Sequence, residues 1–146
     1  MTSEDGLAVL KIYEECIAAG HATFESQTPN WKKWDSTHHK NCRWVVKKEN
    51  VILGWAALSP TSLRRIYQGV AEVSIYVTEK AHQKNIGSRL MEQLILSSEE
   101  AGFWTLQSSI FKENIPSIRL HEKFDFEKNG TRRRIALMTY GPLAGQ

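Results

Sequence analysis

The sequence from Gly69 to Ala101, GVAEVSIYVTEKAHQKNIGSRLMEQLILSSEEA, decides the fold. Its first part, residues 70–77, alternates apolar and polar side chains, which predicts a β-strand with one functional face. Residues 88–101 repeat large apolar side chains at helical spacing and are followed by Gly102, which predicts a helix that ends at that glycine. A strand, a short polar loop and a helix in this order are typical of an α/β domain.

The loop between this strand and this helix is the first candidate for a binding site. The N-terminus of a helix has unpaired backbone N–H groups and a partial positive charge, so it is a good receptor for phosphate oxygens. Gly87 permits close approach of the backbone, Asn85 tolerates a left-handed conformation and Lys84 adds positive charge. An ordinary loop ahead of an amphipathic helix has the same features, so this segment alone leaves both interpretations open.

The rest of the chain predicts further elements of the same domain. Residues 42–47 and 51–58 are separated by three polar residues and are predicted to form a hairpin. No linker or repeat divides the chain, so residues 1–146 are expected to form a single α/β domain around one sheet. The other predicted elements are helices at 3–20, after Pro29 with Trp31 and Trp34 in the core or at a subunit contact, and at 114–124, and extended segments at 103–111 and from 126 to about 139.

The composition limits the classes of function. The 146 residues, 41% of them apolar, suffice for one hydrophobic core. A net charge of +3 favours an anionic small ligand over a nucleic-acid groove. Apolar runs are too short to cross a bilayer and no export signal is evident, so we expect a cytoplasmic protein without a membrane partner. Cys16 and Cys42 lack the spacing of a metal site or a disulfide framework.

Several separate segments carry a resemblance to one known family. The matching segments are Ala22–Glu25, Gly54–Pro60, Arg64 with Tyr67, Gly69–Val77, Trp104–Gln107, Asn114–Ser117 and Leu120–Glu122. Together they resemble the GNAT acetyltransferase superfamily, and within it the phosphinothricin-type enzymes, including those that acetylate methionine sulfoximine or arsinothricin. The resemblance implies a mixed, mostly antiparallel sheet flanked by helices, acetyl-CoA as co-substrate without a metal, and a CoA-binding core at about 70–125.

The same resemblance implies which residues bind acetyl-CoA. The family's phosphate-binding loop follows the pattern Arg/Gln-x-x-Gly-x-Gly/Ala, which falls here on residues 82–87. The last glycine matches, whereas His82 and Asn85 differ from the pattern. In the family, the end of the preceding strand pairs with the pantetheine, and the start of the last helix lies along it. The implied cofactor-binding residues are Ile75, Tyr76, Val77, His82, Gln83, Lys84, Asn85, Ile86, Gly87, Ser88, Asn114 and Ser117.

Five side chains are candidates for catalysis and substrate binding. Glu72 lies in an otherwise apolar strand before the cofactor segment and matches the family's glutamate base, which acts through water. His121 matches the histidine of phosphinothricin-type members and is either a general acid or a polar contact. Arg64 and Tyr67 match positions that contact substrate, and an arginine suits a carboxylate, phosphinate or arsinate oxyanion. Phe24 either lines the amine pocket or packs between helices.

The chain departs from the family pattern near both ends. Relatives begin with a strand before the first helix, for which Met1-Thr-Ser leaves no room, and they end with a further strand where this chain has a tail. Asp125 stands where the family has a glycine after the last helix. We therefore expect a sheet without the first and last strands. A homodimer with sites near the interface is implied by the resemblance.

These features lead to one main expectation and two alternatives. The main one is an N-acetyltransferase that moves the acetyl group to the α-amine of a small amino-acid analogue. Attack is expected to be direct, in a ternary complex, because no Cys or Ser has the neighbours that activate a nucleophile. The alternatives are a degenerate GNAT domain that binds CoA or a partner without turnover, and a protein or peptide N-acetyltransferase.

Overall fold

The computed structural model describes residues 1–20, 23, 27–81 and 85–132. Within them, no helix has the length and apolarity needed to span a bilayer. The helices are α1 (Gly6–Ala19), α2 (Trp31–Thr37), α3 (Ile86–Glu100) and α4 (Ile115–Lys123), the strands are β1 (Trp44–Lys48), β2 (Val51–Pro60), β3 (Val70–Val77) and β4 (Thr105–Gln107), and short 3-10 helices lie at Ser3–Asp5, Arg65–Tyr67 and Glu79–Ala81.

The four strands form one sheet in the order β1-β2-β3-β4. The first two pairings are antiparallel, and β3 pairs with β4 in parallel. A parallel pair needs a crossover connection, which α3 supplies. The predicted mixed, mostly antiparallel α/β sheet is confirmed.

Each face of the sheet packs against different helices. Successive residues of a strand point to opposite faces, so β2 and β3 contribute to both cores. On the α3 face the fully buried side chains are Ala56, Leu58, Ala71, Leu90, Met91 and Leu94. On the α1 and α2 face they are Val9, Trp34, Trp55 and Ala57, and half-buried Tyr76 packs against them.

The predicted hairpin is confirmed, with slightly different bounds. β1 and β2 are joined at Glu49 and Asn50, which have φ angles of 52° and 65°. Two successive positive φ angles are typical of the tight turn whose twist matches that of a hairpin. Asn tolerates this conformation better than most residues do.

Two glycines are each covered by a tryptophan ring. A Cβ on Gly6 would lie 2.8 Å from the ring of Trp31, and one on Gly69 would clash with the ring of Trp104. Trp31 also stacks on Trp34 with ring centroids 4.9 Å apart, and Trp34 is fully buried. Of the two sequence-based assignments for this pair, core and subunit contact, the structure therefore supports the core.

The structure differs from the sequence-based expectations in three segments. The predicted strand at 103–111 is shortened to β4, because the chain leaves the sheet after Gln107 and turns at Phe111–Asn114 into α4. The predicted helix at 88–101 begins two residues earlier, at Ile86. Residues 126–132 of the expected final extended segment form no strand, and residues 133–146 lie outside the described part.

The end of α4 has the geometry that the sequence predicts for a glycine. Asp125 has a φ angle of 66°. The N–H of Phe126 donates to the carbonyl of His121, and the N–H of Asp125 donates to that of Glu122, both at 3.0 Å. These two bonds form the Schellman motif, which closes helices at a left-handed residue. Asp125 thus has a backbone conformation that glycine adopts more readily than a residue with a Cβ.

We predict that Asp125→Gly stabilises the protein. Glycine adopts the left-handed conformation without the steric cost that a Cβ brings, so the free energy of unfolding should rise by about 0.5–1 kcal/mol. Thermal or urea unfolding measures the change. Asp125→Asn is the matched control and should be close to the original protein, while Asp125→Ala should be less stable. An alanine variant as stable as the glycine variant would contradict the prediction.

Candidate active site

The polar face of β3 is the centre of the candidate site. Tyr76 packs on the α1 side of the sheet. Glu72 lies on the same face of β3, because it is four residues from Tyr76 and side chains two or four residues apart in a strand point to the same side. Glu72 is half-buried and lies opposite Ser59 on β2 and Gln107 on β4. Residues 71, 73, 75 and 77 contribute to the opposite, α3 core. The alternation that the sequence predicts is therefore present, with one face of β3 in the α3 core and Glu72 on the other.

Strands β3 and β4 pair over a short length and then part. Their ladder joins Val70–Glu72 with Thr105–Gln107. Beyond Glu72, residues 75–77 pair with β2 on one side, and the described residues add no strand on the other. Glu72 thus occupies the last rung before the strands separate. This is the place where the family resemblance implies that Ile75, Tyr76 and Val77 border the pantetheine.

The N-terminus of α3 has a shape suited to an anion. Asn85 has a φ angle of 60°, in the left-handed region, and its side chain does not cap the helix. The side chain of Asn85 therefore leaves the first N–H groups of this 15-residue helix to another acceptor. Ile86 is buried beneath this turn and packs in the α3 core. His82, Gln83 and Lys84, which the sequence places in the same loop, lie outside the described residues.

Gly87 has a packing role that the sequence did not show. A Cβ at this position would lie 3.1 Å from Cδ2 of Leu120 on α4. The missing side chain therefore lets α4 approach the first turn of α3. One helical turn later, Lys123 donates a hydrogen bond of 3.0 Å to the hydroxyl of Ser88. This brings a cation to the predicted phosphate site.

Three residues close to the candidate site were not predicted from the sequence: Lys123, Ser59 and Gln107. Lys123 follows Leu120 by three residues and so lies on the same helix face, which is a signal only if the contact of α4 with α3 is known. Ser59 and Gln107 are neighbours of Glu72 through strand register, and register is set by the whole sheet.

Helix α4 begins and is held as the sequence suggests. The Asn114 side chain accepts a hydrogen bond from the N–H of Ser117 at 3.4 Å, and Pro116 lies in the first turn. The capping explanation for Asn114 is therefore confirmed. No described contact shows a ligand-binding role for Asn114 or Ser117, which stays a prediction.

His121 is buried on α4, with 6% of its surface exposed. Its Nδ1 lies 2.7 Å from the carbonyl oxygen of Ser117, so Nδ1 carries the proton and donates it. Nε2 is buried and has no hydrogen-bond partner among the described residues, and the ring meets Phe126 edge-on at 4.9 Å. Burial lowers the pKa of His121, although the bond to Ser117 opposes this. The ring is therefore neutral, with an acceptor at Nε2.

The predicted substrate loop lies ahead of β3 and is exposed. The guanidinium of Arg64 lies 5.8 Å from the ring centroid of Tyr67, a cation–π contact. Both side chains face solvent, and Tyr67 has 43% of its surface exposed. Neighbouring Arg65 is also exposed. The structure thus brings Arg64 and Tyr67 together, while Phe24 lies outside the described residues.

Two thiols and one phenol lie wholly or partly buried in the cores on the two faces of the sheet. Burial raises the pKa of Cys16 to about 12 and also raises that of Cys42. Burial likewise raises the pKa of Tyr76, whose ring lies 5.1 Å from that of Tyr13 on α1. A thiol that stays protonated is a poor nucleophile, so neither cysteine is suited to carry an acyl group.

One surface cleft of about 300 Å³ lies away from the predicted residues. It separates the edge strand β1 from α3 and contains none of the side chains that the sequence selected. The cleft is lined by Trp44, Val45, Val46, Lys47, Arg89, Leu90, Glu92 and Gln93.

In the described part of the chain, no group of three His, Cys, Asp or Glu side chains could hold a metal ion.

Comparison with known proteins identifies the class to which this fold and site belong. The model of the Acetyltransferase (GNAT) family matches residues 7–126, which is most of the chain. The chain therefore belongs to the GNAT family of acetyltransferases. It is an acetyl-CoA-dependent N-acetyltransferase, and its similarity to phosphinothricin-type members is confirmed.

Three individual relatives show how similar the chain is to phosphinothricin-type enzymes. The phosphinothricin N-acetyltransferase of Streptomyces viridochromogenes is 30% identical over 136 residues, covering 90% of this chain and 74% of that protein. An L-methionine sulfoximine/L-methionine sulfone acetyltransferase of Pseudomonas aeruginosa is 25% identical over 129 residues, covering 84% and 74%. The crystal structure of a phosphinothricin acetyltransferase from Sinorhizobium meliloti in complex with acetyl-CoA superposes with a TM-score of 0.86, at 26% identity, covering 99% and 80%.

We predict that His121 stays uncharged at neutral pH. Because burial lowers its pKa below the ordinary value of 6.5, the unfolded chain takes up the proton first as the pH falls. The contribution of His121 to stability is therefore complete above pH 6.5 and is lost progressively below it. Resolved NMR signals of the ring nitrogens measure this residue directly.

The residue-specific measurement is needed because two other histidines act in the same direction. Burial also lowers the pKa values of His38 and His39. The expected spectrum shows a protonated Nδ1 and a bare Nε2 on His121 at pH 7. A doubly protonated ring at that pH would contradict the prediction.

Proposed function

We propose that this enzyme transfers the acetyl group of acetyl-CoA to the α-amine of a small amino-acid analogue of the phosphinothricin, methionine sulfoximine or arsinothricin type. The observation that carries the proposal is the position of Glu72. Its carboxylate lies on the polar face of β3, on the rung where β3 and β4 part. A base at that point is next to both the expected thioester and the expected amine. The names of the relatives support the substrate class.

The residues around the parted strands fit acetyl-CoA. When bound, acetyl-CoA supplies the activated acetyl thioester. We propose that the backbone of Ile75–Val77 holds its pantetheine arm, with Asn114 and Ser117 along the same arm. The first turn of α3, from Asn85 to Ser88, would receive the pyrophosphate together with residues 82–84. Lys123 adds a positive charge beside Ser88.

Glu72 acts as the general base in this proposal. The attacking amine must lose a proton, and a half-buried carboxylate at hydrogen-bond distance or one water away can accept it. Ser59 and Gln107 flank Glu72 and offer polar groups that orient it or its water. Such proton transfer typically contributes about 10²–10⁴-fold to the rate.

His121 serves as a hydrogen-bond acceptor in this proposal and not as a general acid. A general acid would need a proton on Nε2 as well as on Nδ1. Burial disfavours that charged form, and Nδ1 is already committed to the carbonyl of Ser117. Of the two roles that the sequence leaves open, the geometry supports the polar contact.

Direct attack of the amine is supported by the state of the thiols. A covalent mechanism would need an acyl carrier near the site. Cys16 and Cys42 are both held in the protonated form by burial. We therefore propose transfer within a ternary complex, with no acyl-enzyme.

Arg64 is the proposed ligand of the substrate's acidic group. Its planar guanidinium can bind two oxygens of a carboxylate, phosphinate or arsinate at once. The cation–π contact with Tyr67 holds the guanidinium in place ahead of β3. Phe24 is proposed to line the same pocket. A small acidic amine suits this arrangement better than a peptide does.

Two further properties belong to the proposal. Apolar side chains are exposed around the substrate loop: Leu63 fully, Ile66 at 63% and Trp104 at 63%. Such a patch supports a homodimer in which the partner covers this side.

The two free cysteines and the use of acetyl-CoA support a cytoplasmic location.

We predict that Glu72→Gln abolishes most turnover but keeps CoA binding. Glutamine has the same shape but cannot accept the proton, so kcat should fall by about 10²–10⁴-fold. Release of CoA thiol with phosphinothricin, methionine sulfoximine and arsinothricin measures kcat, and calorimetry measures CoA affinity. Glu99→Gln, an exposed change at the far end of α3, is the matched control.

The same assay separates the alternatives. CoA binding without turnover on any amine would favour a degenerate domain, and turnover with peptides alone would favour a peptide N-acetyltransferase. A Glu72→Gln variant as active as the original enzyme would rule out Glu72 as the base.

We predict that Arg64→Ala raises KM for the acidic amine and leaves KM for acetyl-CoA unchanged. Loss of a hydrogen bond to a charged group typically costs about 1.5–3 kcal/mol, so the rise should be roughly 10- to 150-fold. Arg65→Ala is the matched control because it removes the same charge from the next residue. Equal effects of the two changes would mean that Arg64 attracts the substrate only through long-range charge.

A further inference from the structure

Thr78 lies at the junction between β3 and the loop that leads to α3. It follows the last strand residue and is 8% exposed. Its N–H donates to the carbonyl of Leu53 at 2.8 Å, and its own carbonyl accepts from the N–H of Ala81 at 3.0 Å. The first bond holds Thr78 to the sheet, and the second begins the 3-10 helix Glu79–Ala81. The direction in which the loop leaves the sheet is therefore set here.

The side chain of Thr78 is bound from another part of the molecule. Its hydroxyl donates a hydrogen bond of 2.8 Å to a carboxylate oxygen of Glu15 on α1, 63 residues away in the chain. A hydrogen bond to an ionised acceptor is stronger than one between neutral groups. Helix α1 is also held to β3 by the contact of Tyr13 with Tyr76 at 5.1 Å. Both contacts act on the last part of β3.

Glu15 is not suited to touch the cofactor itself. A carboxylate repels phosphate groups, so its presence beside the start of a phosphate-binding loop needs another explanation. The bond to Thr78 supplies one, since the carboxylate is the acceptor that fixes the threonine hydroxyl. Neither cysteine nor any predicted ligand-binding residue takes part in this bond.

We infer that Glu15 and Thr78 form a pair of positioning residues that sets the affinity of the enzyme for acetyl-CoA. The pair fixes the path of the chain from β3 into the 3-10 helix Glu79–Ala81. Ala81 is buried in the same core as Ile86, which lies in the first turn of α3, where the phosphates are proposed to bind. The inference rests on the proposed function, because it takes acetyl-CoA as the ligand of that turn. Neither residue is among those proposed to contact the reacting atoms, so the pair should act on binding and not on the chemical step.

Calorimetric titration with CoA, in the absence of any amine, tests the pair. Loss of the bond in Glu15→Ala or in Thr78→Val should weaken CoA binding by roughly fivefold, as expected for one hydrogen bond. Glu15→Gln keeps an acceptor and Thr78→Ser keeps a donor, so each should stay within about twofold of the original protein. In turnover assays the effect should fall on KM for acetyl-CoA and not on kcat.

The matched control is Glu14→Ala, which removes the same charge from the neighbouring exposed residue of α1. It should leave CoA affinity unchanged. The double variant Glu15→Ala/Thr78→Val should bind CoA no more weakly than either single variant, because both remove the same bond. Thermal unfolding of each variant separates a change in binding from a change in folding.

The outcomes distinguish this inference from the proposed function. If the original protein fails to bind CoA, the proposed cofactor site is wrong. If it binds CoA and the single variants bind equally well, with or without a lower melting temperature, the site stands and the positioning role is overturned. An equal effect of Glu14→Ala would also overturn it, since charge alone would then explain the result.

Discussion

The ladder between β2 and β3 is the constraint on which the rest of the structure depends. It joins Gly54–Pro60 with Ala71–Val77 without interruption. Because side chains alternate along a strand, a slip of one residue would move every side chain of β3 to the other face. The observed register puts Val73 and Ala71 into the α3 core and leaves Glu72 on the opposite, polar face. The position of the proposed base is thus decided by the burial of its apolar neighbours.

Strands β3 and β4 part because β4 ends at Gln107. After Gln107 the chain leaves the sheet so that Asn114 can cap α4, and α4 then lies against α3 where Gly87 has no side chain. The two strands thus leave an opening between them, and the start of α3 meets the side of α4 at Gly87. A longer β4 would close the opening between the strands. The candidate site therefore depends on the short length of β4.

Much of this arrangement could be predicted from the sequence, because it depends on local patterns. Alternation in residues 70–77 and helical spacing in 88–101 predicted the type of each element. The left-handed residue after α4 was implied by the family resemblance, since Asp125 stands where the family has a glycine. Other features depend on distant packing and could not be predicted. The burial of His121, which lowers its pKa, depends on how α4 packs, and Lys123 is near the candidate site only because α4 contacts α3. The early end of β4 also reflects tertiary structure, since residues 108–111 still look extended in sequence.

The tight turn at Glu49 and Asn50 has a consequence for the order in which the molecule assembles. A hairpin whose strands adjoin in sequence loses little chain entropy on closure, and such hairpins form in about 1–10 μs. The β3–β4 ladder joins residues 35 positions apart, as in Val70 with Thr105, and it has to wait for the intervening helix. The β3–β4 edge of the sheet, which holds the proposed base, should therefore be the last part to form during folding and the first to open when the protein is stressed. Heat or denaturant should abolish activity before the hairpin is lost.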